Sequence, residues 1–319
     1  MNHNRILVLG AGAVGGYFGG RMLAAGRDVT FLVRPHRYER LRASGLRISS
    51  GHGDLHFADP PLARTGDTLG VFDTVLIACK AYDLDSAIAA VRPAVGPETA
   101  ILPLLNGMAH IGRLQDVFGR EAIVGGLCHI GVMLDGDGGV RHFDDRHRLS
   151  YGELDGRRSD RIERLHETLD GCGFDNRLSP DILRDLWEKW VLLSSLAGVT
   201  CLMRGQVGDV VAADGQAFAR ALLVECAAVA TAAGFPPSEA CLQTGDAALT
   251  AAGSENAAST FRDIDRGGPT EGDHVVGDLV ARGRALGCDM ALLPLVDLHF
   301  RTYAARQHRE SLERRRAGP

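Results

Sequence analysis

Gly10, Gly12 and Gly15 stand in the spacing G-x-G-x-x-G, with only Ala11, Ala13 and Val14 between them. The chemistry this spacing serves is the binding of a dinucleotide. The first glycine permits a tight turn, the second lets backbone approach a pyrophosphate, and the third lets a helix pack on a strand. Alone the pattern is weak; it gains weight when a strand precedes it and a helix follows. Here Ile6–Leu9 is a short apolar run that reads as a buried parallel strand. An apolar, Ala-rich helical pattern then runs through Met22–Ala25 to Gly26. The helix N-terminus would offer free N–H groups and positive dipole to the phosphates.

A second apolar run, Asp28–Arg34, ends about 20 residues past the glycines, where an acid would suit the ribose of NAD and an arginine the 2′-phosphate of NADP. The residue there is Arg34, followed by Pro35-His-Arg-Tyr-Glu-Arg40 in what reads as a basic loop. This favours NADP(H). Three further positions follow apolar runs or lie within one. Lys80 ends Val71–Cys79, Asn106 ends Ala100–Leu105, and Lys189 is set among Leu186, Trp187, Trp190, Val191, Leu192 and Leu193. A lysine in so apolar a helix either snorkels to solvent or is held for chemistry. Ser259, Asp263, Glu271 and Asp273 follow in a stretch before a helix, where the acids could merely complement its dipole.

The elements that must position these residues divide the chain in two. Residues 1–178 alternate strand and helix signals, and Ala122–Met133 and His147–Gly152 read as later strands of the sheet. In an open α/β sheet ligands lie beyond the carboxyl ends of the strands, where Gly10, Arg34, Lys80 and Asn106 all fall. From 179 the period is helical. Ser179-Pro180-Asp181 reads as an N-cap with Pro at the first position. Helices are then expected from Ile182 onward and over Ala217–Ala233, Pro237–Ala252, Glu271–Gly287 and Leu293–Arg314. The fold class expected is α/β: a Rossmann-type doubly wound sheet over residues 1–178, then an all-α domain over 179–319.

The totals exclude several function classes. The 319 residues are 45% hydrophobic and 24% charged with a net charge of −5, which gives no footprint for nucleic acid or an anionic membrane. The basic tail Arg306–Arg316 reads as a solvated helix end. Seven cysteines (79, 128, 172, 201, 226, 241 and 288) are scattered in apolar runs without metal-ligand spacing, so they read as core residues of a reducing cytoplasm and no metal is expected. A strand begins within five residues of the start, so no signal peptide is expected, and no uninterrupted apolar run is long enough to span a bilayer.

Taken in order, Gly10-Ala-Gly-Ala-Val-Gly15-Gly, Cys79-Lys80-Ala, Leu105-Asn106-Gly-Met108, Gly126-Leu-Cys128, Trp187-Glu-Lys189, Ser259-x-x-x-Asp263 and Pro269-Thr-Glu271-Gly-Asp273 make the chain resemble the ketopantoate reductase (2-dehydropantoate 2-reductase) family. The resemblance covers nearly the whole length. It implies reduction of a 2-oxo acid by NADPH on the way to pantothenate and coenzyme A, in a Rossmann domain followed by a helical domain. It implies that Arg34 and Lys80 hold the 2′-phosphate and that Asn106 lies near nicotinamide and substrate. Lys189 would be the general acid at the ketone oxygen. Ser259 would bind the substrate and Glu271 would position lysine, cofactor and substrate. A homodimer is plausible on the same ground. The chemistry is consistent: hydride arriving at a carbonyl carbon builds negative charge on oxygen, which a nearby ammonium stabilises and then protonates.

One departure stands out. The family's lysine helix usually carries Asn four and eight residues on, and here those positions are Leu193 and Ala197. Ser194 and Ser195 are near in sequence, but each step turns about 100° around the helix axis. The departure suggests a 2-oxo acid more apolar at that end, or weak ketopantoate activity. A paralogous dehydrogenase of an opine-like substrate and a non-catalytic NADP(H) sensor are the rivals, and Lys189, Ser259 and Glu271 argue against the sensor. His110 reads as a surface-loop histidine, His129 as a strand histidine with one hydrogen bond, and Asp263 as an anchor.

Overall fold

The computed structural model describes residues 4–317. Among the described residues ten strands form: β1 (Ile6–Leu9), β2 (Val29–Val33), β3 (Leu46–Ser49), β4 (Leu55–Phe57), β5 (Leu62–Arg64), β6 (Phe72–Ile77), β7 (Val95–Pro103), β8 (Val124–Leu134), β9 (Val140–Glu153) and β10 (Asp175–Leu178). The chain divides into two compact units. One comprises residues 1–105 and 110–183, the other residues 106–109 and 184–319.

The first unit is built on a five-stranded parallel sheet in the order β5-β2-β1-β6-β7. Its central strand shows why the apolar run was legible. Ile6 and Val8 enter one core and Leu7 and Leu9 the other, because successive side chains point to opposite faces of a strand. A parallel sheet covered on both faces needs apolar residues at every position. The expected α/β, Rossmann-type class is what the unit adopts.

A second sheet, β10-β9-β3-β4 with β8 antiparallel to β9, packs in the same unit. The runs at 122–133 and 147–152 belong to it rather than to the parallel sheet, and the polar, Gly-rich stretch after residue 45 supplies β3, β4 and β5. The first helix (Ala13–Ala24) lies between the two sheets, and its glycines make that approach possible. A Cβ on Gly19 would meet the Phe31 ring of β2 at 2.5 Å, and one on Gly16 would meet Val140 of β9 at 2.8 Å. Tyr17, Phe18 and Met22 of this helix are fully buried beside Leu149, Tyr151 and Phe174.

The second unit is helical, as expected. Its central helix, Ile182–Met203, begins two residues beyond the Ser179-Pro180 pair, so Pro180 lies outside the helix rather than at its first position. This helix is long and apolar enough by composition to cross a membrane, although Arg184, Asp185, Glu188 and Lys189 interrupt its apolar run. Sixty-one percent of its most apolar window is buried inside the protein, as a core helix requires. Gln216–Ala232, Glu239–Leu249, Asp278–Ala285 and Leu293–Ala317 follow, with shorter helices at Val207–Ala212 and Ser259–Asp265. The last long helix is fastened from a distance. The Glu225 carboxylate accepts from the backbone N–H groups of Ala291, Leu292 and Leu293 at 2.9–3.0 Å, an anion set on the positive end of the dipole.

None of the seven cysteines is in a disulfide, and five of them are buried. Burial pushes the Cys201 and Cys226 thiols up to about 12, so they pack as small apolar side chains. Among the described residues no group of His, Cys, Asp and Glu is arranged to hold a metal ion.

Candidate active site

The glycine turn has the geometry a pyrophosphate requires. Gly10 closes β1 with φ +92°, a conformation that side chains other than glycine adopt at a cost. A Cβ on Gly15 would drive into the Gly10 carbonyl oxygen. Around Gly12 the situation is reversed: a Cβ there would meet no atom within 4 Å. Gly12 is the N-cap of the first helix, and no side chain caps it. Bare N–H groups at a helix N-terminus, beside open space that Gly12 leaves, fit a dinucleotide pyrophosphate. When bound, the nicotinamide dinucleotide supplies the hydride; the protein's part is to hold and orient it.

Residues 35–40 are not the loop expected. Pro35 stands at the first position of a helix, Pro35–Ser44, because its fixed φ suits that place and its missing N–H would have no partner there. The helix turns Arg37 back onto the glycine turn, where Nε and Nη2 both donate to the Ala11 carbonyl oxygen at 3.0 and 2.7 Å. Sequence reasoning missed this residue; the proline after the strand was the available signal.

Arg34 caps this helix at the carboxyl end of β2, with its side chain 60% exposed. Its Nη2 pairs with Asp83 Oδ1 at 2.6 Å and donates to Ser86 Oγ at 3.2 Å. The Asp83 carboxylate, through that hydrogen bond, raises the Arg34 pKa above its ordinary value. Lys80 is half-buried and caps the short turn Ala81–Asp83 that carries the acid. Gly10, Arg34 and Lys80 thus gather at the carboxyl ends of the adjacent strands β1, β2 and β6.

In the helical unit, Lys189 is half-buried on Ile182–Met203, while Trp187 and Trp190 on either side are 2% and 1% exposed. Trp190 Nε1 donates to the Val275 carbonyl at 2.6 Å, and Ser194 Oγ donates to the same oxygen at 3.2 Å. Val275 N–H in turn donates to the Glu271 carbonyl at 2.9 Å. Asp273–Gly277 is one turn of π-helix, an irregularity that recurs at functional sites. Glu271, 7% exposed, stands two residues before its first residue.

Asn106 belongs to this helical unit although it follows β7 in sequence. Gly107, at φ +78°, packs against His274: a Cβ there would approach the His274 carbonyl oxygen at 2.9 Å and its ring at 3.1 Å. The His274 ring hydrogen-bonds the Asn106 backbone, and Glu271 is near enough to favour its protonation, yet burial dominates and lowers its pKa. Lys189, Asn106 and Glu271 therefore hang on one framework: the Trp190–Val275 bond, the π-turn and His274. His274 was not foreseen, since nothing in its spacing marks it.

Ser259 is exposed at the first position of Ser259–Asp265, whose buried residues are Thr260, Phe261 and Ile264. Leu193 is half-buried and Ala197 buried. The hydroxyls near them are spoken for, because Ser195 Oγ donates to the Val191 carbonyl at 2.8 Å and Ser194 Oγ to Val275. His110 is fully buried in the helix Ala109–Phe118 rather than on a surface loop, and His129 is half-buried on β8.

Family models match the chain twice: ketopantoate reductase PanE/ApbA over residues 6–156, and ketopantoate reductase PanE/ApbA C terminal over residues 181–298. The chain belongs to the ketopantoate reductase family. It is therefore an oxidoreductase acting on a CH–OH group, in a family that reduces 2-oxo acids with NAD(P)H. Among its relatives, it is 37% identical to the uncharacterized oxidoreductase YkpB of Bacillus subtilis, covering 94% of this chain and 99% of that one. It is 28% identical to a 2-dehydropantoate 2-reductase of Mesorhizobium japonicum, covering 88% and 91%. The crystal structure of 2-dehydropantoate 2-reductase from Geobacter metallireducens superposes with a TM-score of 0.86 at 28% identity, covering 93% of this chain and 99% of that chain.

Proposed function

We propose that this ketopantoate reductase family member reduces 2-dehydropantoate to pantoate with NADPH, Lys189 acting as general acid. The observation that carries the reading is the mounting of Lys189. It lies half-buried between two buried tryptophans, one of which is bonded to the turn that follows Glu271. A half-dry ammonium is what a developing alkoxide needs, first as a positive charge and then as a proton source. Lysine suits both tasks, since its compact charge and shiftable pKa allow it to give up a proton where arginine cannot. Asn106, on the turn clasped by His274, would orient substrate and nicotinamide, and Ser259 would contact the substrate. Glu271 would orient Lys189 and the cofactor. Arg34 and Lys80 support NADPH as the cofactor, both cationic and both at strand carboxyl ends.

One observation favours a second substrate within the same chemistry. Leu193 and Ala197 are the positions one and two helical repeats beyond Lys189, and Ser194 and Ser195 spend their hydroxyls on backbone carbonyls. A hydroxylated 2-oxo acid would meet apolar surface there, and a branched 2-oxo acid without the hydroxyl would lose nothing. The experiment is NADPH oxidation with 2-dehydropantoate, its deoxy analogue and a panel of 2-oxo acids. Turnover of 2-dehydropantoate above the rest supports the first reading. Preference for the deoxy analogue selects the second, and cofactor binding without turnover of any acid overturns both.

A further inference from the structure

At the carboxyl end of β2 an acid serves NAD by accepting a bond from the ribose 2′-hydroxyl, and an arginine serves NADP by meeting its 2′-phosphate. This chain has the arginine at that end, and the fold brings an acid to it from elsewhere. Asp83 closes the short turn after β6, and its Oδ1 lies 2.6 Å from Arg34 Nη2. Strand β1 separates β2 from β6, so only the loops beyond the strand ends can join these two residues. Ser86, on the helix Leu84–Val91, completes the group. Its Oγ accepts from Arg34 at 3.2 Å and donates to the Asp83 carbonyl at 2.8 Å.

We infer that Asp83 is a specificity-determining residue for the cofactor, one that weakens the preference for NADPH and lets the site accept NADH. The inference rests on the reading of Arg34 as the partner of the 2′-phosphate. A phosphate within hydrogen-bonding reach of Arg34 must approach a guanidinium whose charge is already balanced, and it brings its own negative charge beside a carboxylate. A ribose 2′-hydroxyl meets the opposite situation, since Asp83 can accept its proton and Arg34 can donate to its oxygen. The Asp83 side chain is 30% exposed, so water screens part of the repulsion without removing it.

The test is a titration of the whole protein with NADPH and with NADH, following binding calorimetrically, for the wild type, Asp83→Asn, Asp83→Ala and Arg34→Gln. Binding is read without substrate, so the outcome does not depend on which 2-oxo acid is reduced. Removing a partly screened like charge is expected to tighten NADPH by about tenfold and to loosen NADH severalfold in both Asp83 variants. Arg34→Gln is expected to weaken NADPH far more than NADH, which loses at most one donor to its 2′-hydroxyl. If both Asp83 variants keep the wild-type NADPH-to-NADH ratio within about twofold while Arg34→Gln loses NADPH, the inference about Asp83 is overturned and the reading of Arg34 stands. If Arg34→Gln leaves NADPH binding intact, both fall.

Discussion

Arg37 gives two hydrogen bonds to a single acceptor, the carbonyl oxygen of Ala11, from Nε at 3.0 Å and Nη2 at 2.7 Å. The bonds fix the plane of the Ala11–Gly12 peptide, whose N–H lies on the opposite side from the bonded oxygen. Arg37 is thereby a positioning residue for the turn rather than a ligand of it. Arg37→Met is expected to raise the KM for cofactor about tenfold, as the loss of a charge-assisted pair implies, with kcat little changed. Arg37→Lys should recover part of that loss, because one donor can be replaced but the fork cannot. Equal KM values in wild type and Arg37→Met would show that the turn holds its shape unaided.

The glycines of the turn separate fold from function. Gly12→Ala adds a methyl group that meets nothing within 4 Å, at a φ of −78° that alanine adopts freely. Its melting temperature should stay within a few degrees of wild type, while cofactor binding falls because the methyl fills the space meant for phosphate. Gly15→Ala forces a methyl against the Gly10 carbonyl and should lower the melting temperature as well. A Gly12→Ala protein that binds cofactor normally would refute the assignment of that space.

Much of this was legible in the residues. Strand β1 and the glycine turn were readable because a buried parallel strand must be apolar throughout and the turn admits few side chains. The helical half was readable from long apolar periods such as Ala217–Ala233. The second sheet was hidden because β3 and β4 contribute only Leu46, Ile48, Leu55 and Phe57 as alternating apolar residues, too few to declare a strand. Arg37 and His274 were illegible for a different reason. Each acts on a backbone atom distant in sequence, Ala11 and Asn106; Pro35 could have announced the helix that carries Arg37, but no local pattern encodes either pairing.

A stack of imidazoles predicts how stability depends on pH. His52 and His147 lie face to face with ring centroids 3.7 Å apart, His142 stacks at 5.6 Å from His52, and Tyr17 of the first helix bonds His147 Nδ1 at 3.1 Å. Arg21, Asp144, Arg146 and Asp175 are the other charged groups around the stack. Burial, then His52, His142 and Arg21, hold His147 below its ordinary value of 6.5, and burial does the same to His274 and His299. The unfolded chain thus takes up protons at a higher pH than the folded one. Stability is complete above 6.5 and is lost as pH falls below it. Melting temperature should decline from about pH 7 toward pH 5, less steeply in His147→Gln. A flat profile over that range would contradict this.

The framework beneath Lys189 is open to a direct perturbation. Trp190→Phe removes the donor to Val275 and keeps most of the ring, so a buried carbonyl loses one of its two side-chain donors, Ser194 Oγ remaining. The expected destabilisation is about 1 kcal/mol. A displaced π-turn should also lower kcat, since it carries Glu271 with it. Wild-type kcat in a destabilised Trp190→Phe protein would mean the bond serves stability alone.

Restoring polar groups at the two apolar positions tests the origin of substrate choice. Leu193→Asn with Ala197→Asn should raise kcat/KM for 2-dehydropantoate relative to its deoxy analogue by about tenfold, the worth of one satisfied hydroxyl. No change in that ratio would place the substrate's hydroxyl elsewhere.

The most direct test of the central claim is kcat for NADPH-dependent 2-oxo acid reduction in Lys189→Ala, with cofactor affinity measured on the same sample. General acid catalysis by Lys189 predicts a fall of about 10²–10⁴ in kcat with NADPH still bound at near wild-type affinity. Retention of most of the turnover in that variant would remove Lys189 from the chemistry.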